Sequence, residues 1–218
     1  MSTAAPDVHK GPAEVAQLFI ERDGVRGTRI GSGAVMTGWP SERSRNGGVD
    51  EVPLPKGPGR LWLCGKHFIG PDVEAALHRV GATTVVCLNE RDELAGRYDD
   101  YVRWLTDAEP DRVVWFPIPD LHAPRIEDVV SFLTELRGRL SRGDGLLMHC
   151  GAGIGRAGTM AAALLITMGI APDAAVATVA AHRPLAGPEA GPQRELLDTL
   201  WAGRGNGAVR EEGRGRLA

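Results

Sequence analysis

The sequence predicts an α/β fold, a central mostly parallel sheet flanked by helices, with a cysteine-bearing glycine loop between its last strand and a buried helix. Three observations carry that prediction. From residue 61 to 149, short apolar or β-branched runs alternate with stretches whose apolar residues recur at helical spacing. The run Thr83-Thr84-Val85-Val86-Cys87-Leu88 is continuously β-branched or apolar, as in a strand covered on both faces. Beyond residue 156 strand signals cease and the chain reads as helix only.

Taken in order, residues 61–64 form a short apolar strand, and 71–80 a helix with Val73, Ala76, Leu77 and Val80 on one side. The second strand is 83–88, followed by a helix over 94–107. The third strand, 112–118, is stopped by Pro117 and Pro119. A helix over 125–140 sets Ile126, Val129, Val130, Leu133, Leu136 and Leu140 along one stripe. Residues 145–149 form the fourth strand. The helix 157–168 is apolar nearly all round and is therefore expected at the centre of the fold. Helices over 172–181 and 189–201 follow, the latter with Leu196, Leu197, Leu200 and Trp201 on one side.

These elements imply one domain over residues 61–202, with a partly irregular N-terminal extension (1–60) and a disordered Gly/Arg-rich tail (203–218). Within the extension, 13–21 suits a short helix and 28–39 a strand or two, whereas nine of the 23 residues 38–60 are Gly or Pro. The 218-residue chain carries 25 basic and 28 acidic groups, a net charge of −3, which argues against nucleic-acid binding through bulk charge. The three cysteines, Cys64, Cys87 and Cys150, have no CxxC spacing, so a disulfide framework and a zinc ribbon are excluded and no metal or cofactor is expected. The first ten residues lack an apolar run, and the most apolar stretch, 160–171, is too short for a bilayer. The expectation is a soluble cytoplasmic protein without a membrane partner; its oligomeric state is not legible.

Where the fourth strand ends stands His149-Cys150-Gly151-Ala152-Gly153-Ile154-Gly155-Arg156. A strand, a glycine-rich turn and a helix hold an anion by pointing backbone N–H groups inward and adding the positive end of the helix dipole. Gly151, Gly153 and Gly155 let the backbone curl tightly enough for this, with Ala152 and Ile154 between them. Cys150 sits at the base of the ring, where positive potential favours a thiolate. Arg156 closes it with a planar fork suited to two phosphate oxygens. For this composition, H-C-x-x-G-x-x-R arises by chance roughly once in a thousand chains.

These residues match the signature loop of the protein tyrosine phosphatase superfamily, and over about residues 60–202 the chain resembles its compact dual-specificity-like members. The resemblance implies a cysteinyl-phosphate mechanism. Cys150 attacks phosphorus, Arg156 binds the equatorial oxygens, the backbone of 151–156 cradles them, and His149 orients the loop and helps depress the thiol pKa. A histidine merely satisfied in the core fits His149 as well. The leaving oxygen needs an acid, and Asp120, in Trp115-Phe116-Pro117-Ile118-Pro119-Asp120, lies 30 residues before Cys150, similar to the family's acid loop. Nearby, His122 either lines the pocket or is an exposed loop histidine. By the same resemblance Gln193 positions the hydrolytic water, with a helix-surface glutamine as the alternative; Arg183 either supports the loop from behind or caps a helix.

One departure concerns the residue after the arginine. The family usually has Ser or Thr there, stabilising the leaving thiolate, whereas this chain has Ala157, with Thr159 two residues on. The phosphatases of regenerating liver share this alanine, so slow turnover is implied rather than none. Among alternatives, rhodanese-like sulfurtransferases and arsenate reductases also use Cys-x5-Arg but fit the all-helical C-terminal stretch poorly. A non-catalytic phosphoprotein-binding module needs no nucleophile. The expected substrate is a phosphorylated protein, on phosphotyrosine first and phosphoserine or phosphothreonine second. The loop carries no lysine, which disfavours polyphosphorylated lipids. Finally, Cys87 and Cys150 both end strands, so if those strands are neighbours one reading is a reversible protective disulfide between them; the other is that Cys87 is a small buried apolar residue.

Overall fold

The computed structural model describes residues 47–212, all within the compact unit Trp39–Ala218. The readings made for 13–21 and 28–39 lie outside the described residues. Five strands form one sheet in the order β1-β2-β5-β3-β4: β1 Val49–Val52, β2 Arg60–Gly65, β3 Thr84–Cys87, β4 Val113–Trp115 and β5 Gly145–Cys150. β2, β5, β3 and β4 are parallel, and β1 pairs antiparallel with β2 at the edge. β1 falls inside residues 1–60, so the sheet begins upstream of residue 61. Its four residues, two of them the acidic Asp50 and Glu51, were too short and polar to stand out as a strand.

β5 is buried along its whole length at the centre of the sheet, which explains its apolar run Leu146-Leu147-Met148. Its side chains alternate between two cores. Leu146, Met148 and Cys150 join Leu61, Leu63 and Val86 against α4 (Ile126–Arg142), α5 (Gly155–Thr167), α6 (Pro172–His182) and α7 (Gly191–Glu212). Leu147 joins Trp62, Cys64, Val85 and Cys87 against α2 (Val73–Val80) and α3 (Asp99–Asp107), with the short α1 (Lys66–Ile69) beside them. α5 is buried from Gly155 to Ile166, as its composition predicted. Asp72 caps α2 by accepting from Ala75 N at 2.9 Å, and Pro172 opens α6 at a position where no N–H is needed.

Several boundaries differ from the sequence reading. Residues 91–93 form a 3-10 turn, with Glu90 and Glu93 capping each other's backbone, so the next helix starts at Asp99 and not near 94. Val130 is exposed, and Phe132 takes its place in the core, stacked on Phe116 with ring centroids 4.4 Å apart. Trp201 is likewise exposed although Leu196, Leu197 and Leu200 are buried. α7 continues to Glu212, into the segment read as a tail. Among the described residues, no helix is long and apolar enough to cross a membrane.

β4 ends at Trp115, yet its pairing carries on in alternate residues. Phe116 N donates to Cys87 O at 2.9 Å and Ile118 N to Leu88 O at 3.0 Å. Pro117 and Pro119 occupy the intervening positions, whose missing N–H groups face away from β3. This extension delivers Asp120 to the C-terminal edge of the sheet, beside the end of β5.

Candidate active site

Cys150 ends β5 with only 3% of its surface exposed, and α5 begins five residues later. The intervening loop packs against the end of β2. A Cβ on Gly153, which has φ 74°, would lie 2.2 Å from Cys64 O, so both the backbone angle and the space demand glycine. Arg183, fully buried, gathers carbonyl groups from behind the loop. Nε donates to Gly153 O at 2.6 Å, and Nη2 donates to Ala152 O at 2.8 Å and Gly47 O at 3.0 Å. Its charge is met by Asp50 of β1, 2.7 Å from Nη1. Of the two readings for Arg183, the structure has it behind the loop. With those carbonyls turned backward, the N–H groups face the other way; among the described residues, none of 151–155 donates its N–H to the protein.

Arg156 folds back over this ring, its Nη2 3.3 Å from where Gly151 would carry a Cβ. Glu93 holds it through two parallel contacts, Nη1 to Oε1 at 2.5 Å and Nη2 to Oε2 at 2.8 Å. Asn89 Nδ2 and Glu90 N in turn donate to the same carboxylate. Burial works to raise the Glu93 carboxyl, but the hydrogen bonds from Arg156, Glu90 N and Asn89 together with the Arg156 charge outweigh that and hold it below the usual range. Arg156 Nη1 also donates to Ile118 O at 2.9 Å, and Nη2 lies 3.2 Å from Asp120 Oδ1. Its buried Nε has no protein partner. One guanidinium therefore joins the cysteine loop to the loop bearing Asp120, whose side chain is 70% exposed at the rim.

His149 points to the opposite face of the sheet, where Tyr101 OH lies 2.5 Å from Nε2. Burial drives its pKa down to about 4, against partial opposition from the Cys150 backbone, so the ring is neutral at pH 7. It brings no cationic charge to Cys150. Cys64 and Cys87 both stand in register with His149, on that same face. Burial pushes the Cys87 thiol up to about 12 and the Cys64 thiol up as well. All three cysteines are free. Of the two readings for Cys87, side-chain alternation favours the buried apolar residue over a disulfide with Cys150: the strands are neighbours, but the two thiols project from opposite faces of the sheet.

Gln193 opens α7 and is 1% exposed, so it is not a helix-surface residue. Its Oε1 accepts from Glu189 N at 2.8 Å and from Thr159 Oγ1 at 3.3 Å, and its Nε2 donates to His122 O at 3.3 Å. The Thr159 hydroxyl is thus directed at Gln193 and not at Cys150, leaving Ala157, fully buried, as the residue nearest in sequence to the missing hydroxyl. His122 is exposed, with Nδ1 2.7 Å from Asp120 O. The sequence reading missed Glu93, Tyr101 and Asp50. A Glu three residues after another Glu was the visible sign of the turn that presents Glu93; nothing local marked the other two.

Residues 58–194 match the family described as Swiss Army Knife protein, DSP-PTPase phosphatase domain. Among solved structures the chain is similar to Tk-PTP in its active form, at 28% identity and TM-score 0.53, over 67% of this chain and 93% of that one. It is also similar to kinase-associated phosphatase bearing a serine for its catalytic cysteine, at 21% identity and TM-score 0.57, over 71% and 96% of the two chains. A third likeness is to a mouse putative dual specificity phosphatase complexed with zinc tungstate, at 18% identity and TM-score 0.54, over 68% and 86%. The last two bear on fold alone. No curated protein sequence matches the chain significantly.

Proposed function

The chain belongs to the DSP-PTPase phosphatase family and is a cysteine-dependent phosphatase, and from that premise we propose how its residues divide the reaction. Cys150 Sγ attacks phosphorus, forming an S–P bond as the P–O bond to the leaving group breaks. The N–H groups of 151–156 and the unpartnered Arg156 Nε–H receive the equatorial oxygens. Asp120 gives its proton to the leaving oxygen, then takes one from the water that displaces Cys150 and frees phosphate. His149 is a support, held neutral by burial and bonded to Tyr101.

The observation that carries this reading is the position of Arg156. Its guanidinium overlies Gly151 and also meets Ile118 O and Asp120, so nucleophile loop and acid loop converge on one cation. The preferred substrate is phosphotyrosine on protein. Loop positions 151, 152, 154 and 155 carry no charge to match additional phosphates. The compartment is the cytoplasm, where three unpaired thiols persist.

The test is Cys150→Ser. It is expected to abolish phosphate release from an aryl phosphate while the variant still binds phosphotyrosyl peptide, because the N–H cradle remains. Substantial turnover by this variant would overturn the covalent mechanism. Release assays across phosphotyrosyl, phosphothreonyl and inositol-phosphate substrates test the class, and preference for the last would overturn it.

A further inference from the structure

Asp120 can serve as an acid only while its loop holds the carboxyl over the phosphate-binding ring. That loop is held at two points that bracket Asp120. Upstream, Arg156 Nη1 donates to Ile118 O at 2.9 Å; downstream, Gln193 Nε2 donates to His122 O at 3.3 Å. Between them Leu121 sits in the left-handed region, φ 60°, with 53% of its surface exposed. A leucine gains little from packing there and resists that backbone conformation, so the turn's own bonds, His122 N to Pro119 O at 3.1 Å and His122 Nδ1 with Asp120 O at 2.7 Å, work against that cost and outside restraint adds to them.

Gln193 is suited to be that restraint, and its oxygen has no lone pair left to accept from an attacking water. Both lone pairs of Oε1 are taken, by Glu189 N and Thr159 Oγ1. The bond from Thr159 fixes the amide to the first turns of α5, the helix that also carries Arg156. The remaining amide nitrogen faces the acid loop.

We propose that Gln193 is a positioning residue for the general acid, tying His122 to α5 so that Asp120 stays over the reacting ester. The inference rests on Asp120 being that acid. Gln193 neither gives nor takes a proton; the proton passes from the Asp120 carboxyl to the leaving oxygen as the P–O bond breaks.

The experiment compares kcat/KM for 4-nitrophenyl phosphate and phenyl phosphate, whose leaving groups need little and much protonation respectively. This quantity covers phosphoenzyme formation and leaves out its hydrolysis. The proteins are the parent, Gln193→Met, Gln193→Glu, Asp120→Asn, and Asp120→Asn combined with Gln193→Met. Gln193→Met is expected to slow phenyl phosphate about 10–100-fold and the nitrophenyl ester far less. Gln193→Glu keeps an acceptor for Glu189 N and Thr159 but loses the donor to His122, and is expected to show the same bias. In the double variant, Gln193→Met adds nothing to Asp120→Asn. Each result is a ratio of two substrates on one preparation, so a loss of folded protein cancels.

Unchanged kcat/KM with a slower kcat would return Gln193 to the water step and overturn the proposal. Equal slowing of both esters, or full additivity with Asp120→Asn, would make it merely structural and do the same. Absence of leaving-group bias in Asp120→Asn itself would instead overturn the acid assignment on which the proposal stands.

Discussion

Glu93→Gln is expected to unseat Arg156 without removing it. Each Glu93 oxygen takes two donors: Oε1 from Arg156 Nη1 and Glu90 N, Oε2 from Arg156 Nη2 and Asn89 Nδ2. An amide turned either way sets an NH2 group against two of these donors and loses both bonds. Hydrogen bonds to charged groups contribute about 1.5–3 kcal/mol each, and breaking one side of a buried pair costs about 3–5 kcal/mol. Glu93 keeps 23% of its side chain exposed, and Arg156 retains Ile118 O and Asp120. The low end follows, about 3 kcal/mol of stability, and a displaced guanidinium lowers kcat/KM about 100-fold.

Urea unfolding and steady-state kinetics measure both effects, and pH supplies a sign. The Glu93 carboxyl is depressed in the folded protein, so its contribution is complete above the ordinary carboxyl value, about 4.3, and is lost as pH falls through the lower folded value. The stability gap between parent and variant is therefore flat from about pH 7 to 5 and narrows below that. A gap that widens on acidification, or unchanged kcat/KM with an unchanged unfolding midpoint, would refute the assignment of Glu93 as the seat of Arg156.

Two more substitutions probe the loop. Gly153→Ala places a Cβ 2.2 Å from Cys64 O at φ 74°, so the loop must shift by about 1 Å; kcat/KM should fall about 100-fold and inorganic phosphate should bind more weakly as a competitive inhibitor, whereas parental values would refute the fit. Ala157→Ser restores a hydroxyl after Arg156: stopped-flow should reveal a burst and slow steady state in the parent and a smaller burst in the variant, and a parent without a burst together with an unaccelerated variant would show that the alanine does not limit turnover.

Much of the fold and the centre of the site are legible in the chain because local pattern specifies them. The unbroken run 83–88 marks a strand covered on both faces and the apolar run within 145–149 marks another strand, and the glycine spacing after Cys150 marks a backbone ring closed by Arg156 in the first turn of the next helix. Proline at 117 and 119 marks the stiff loop that carries Asp120. Harder to read were elements whose identity depends on a distant partner. Val49–Val52 is a strand because β2 lies beside it, and Trp201 sits at the helical spacing of its buried neighbours but outside the contact they make.

What the sequence determined by itself is therefore most of the succession of strands and helices from residue 61 onward and the glycine turn between Cys150 and Arg156, since backbone propensity and short-range spacing act within a few residues; the family resemblance then singled out Cys150, Arg156 and Asp120 as the candidates for the chemistry. What only the tertiary structure decided is what holds each of them: Glu93 against Arg156, Arg183 and Asp50 behind the loop, Tyr101 on His149, and Gln193 on the acid loop. It also decided that Cys87 and Cys150, adjacent strand ends, face apart. These are pairings between groups distant along the chain, and their energy exists only after burial removes water and one sheet register brings the partners within reach.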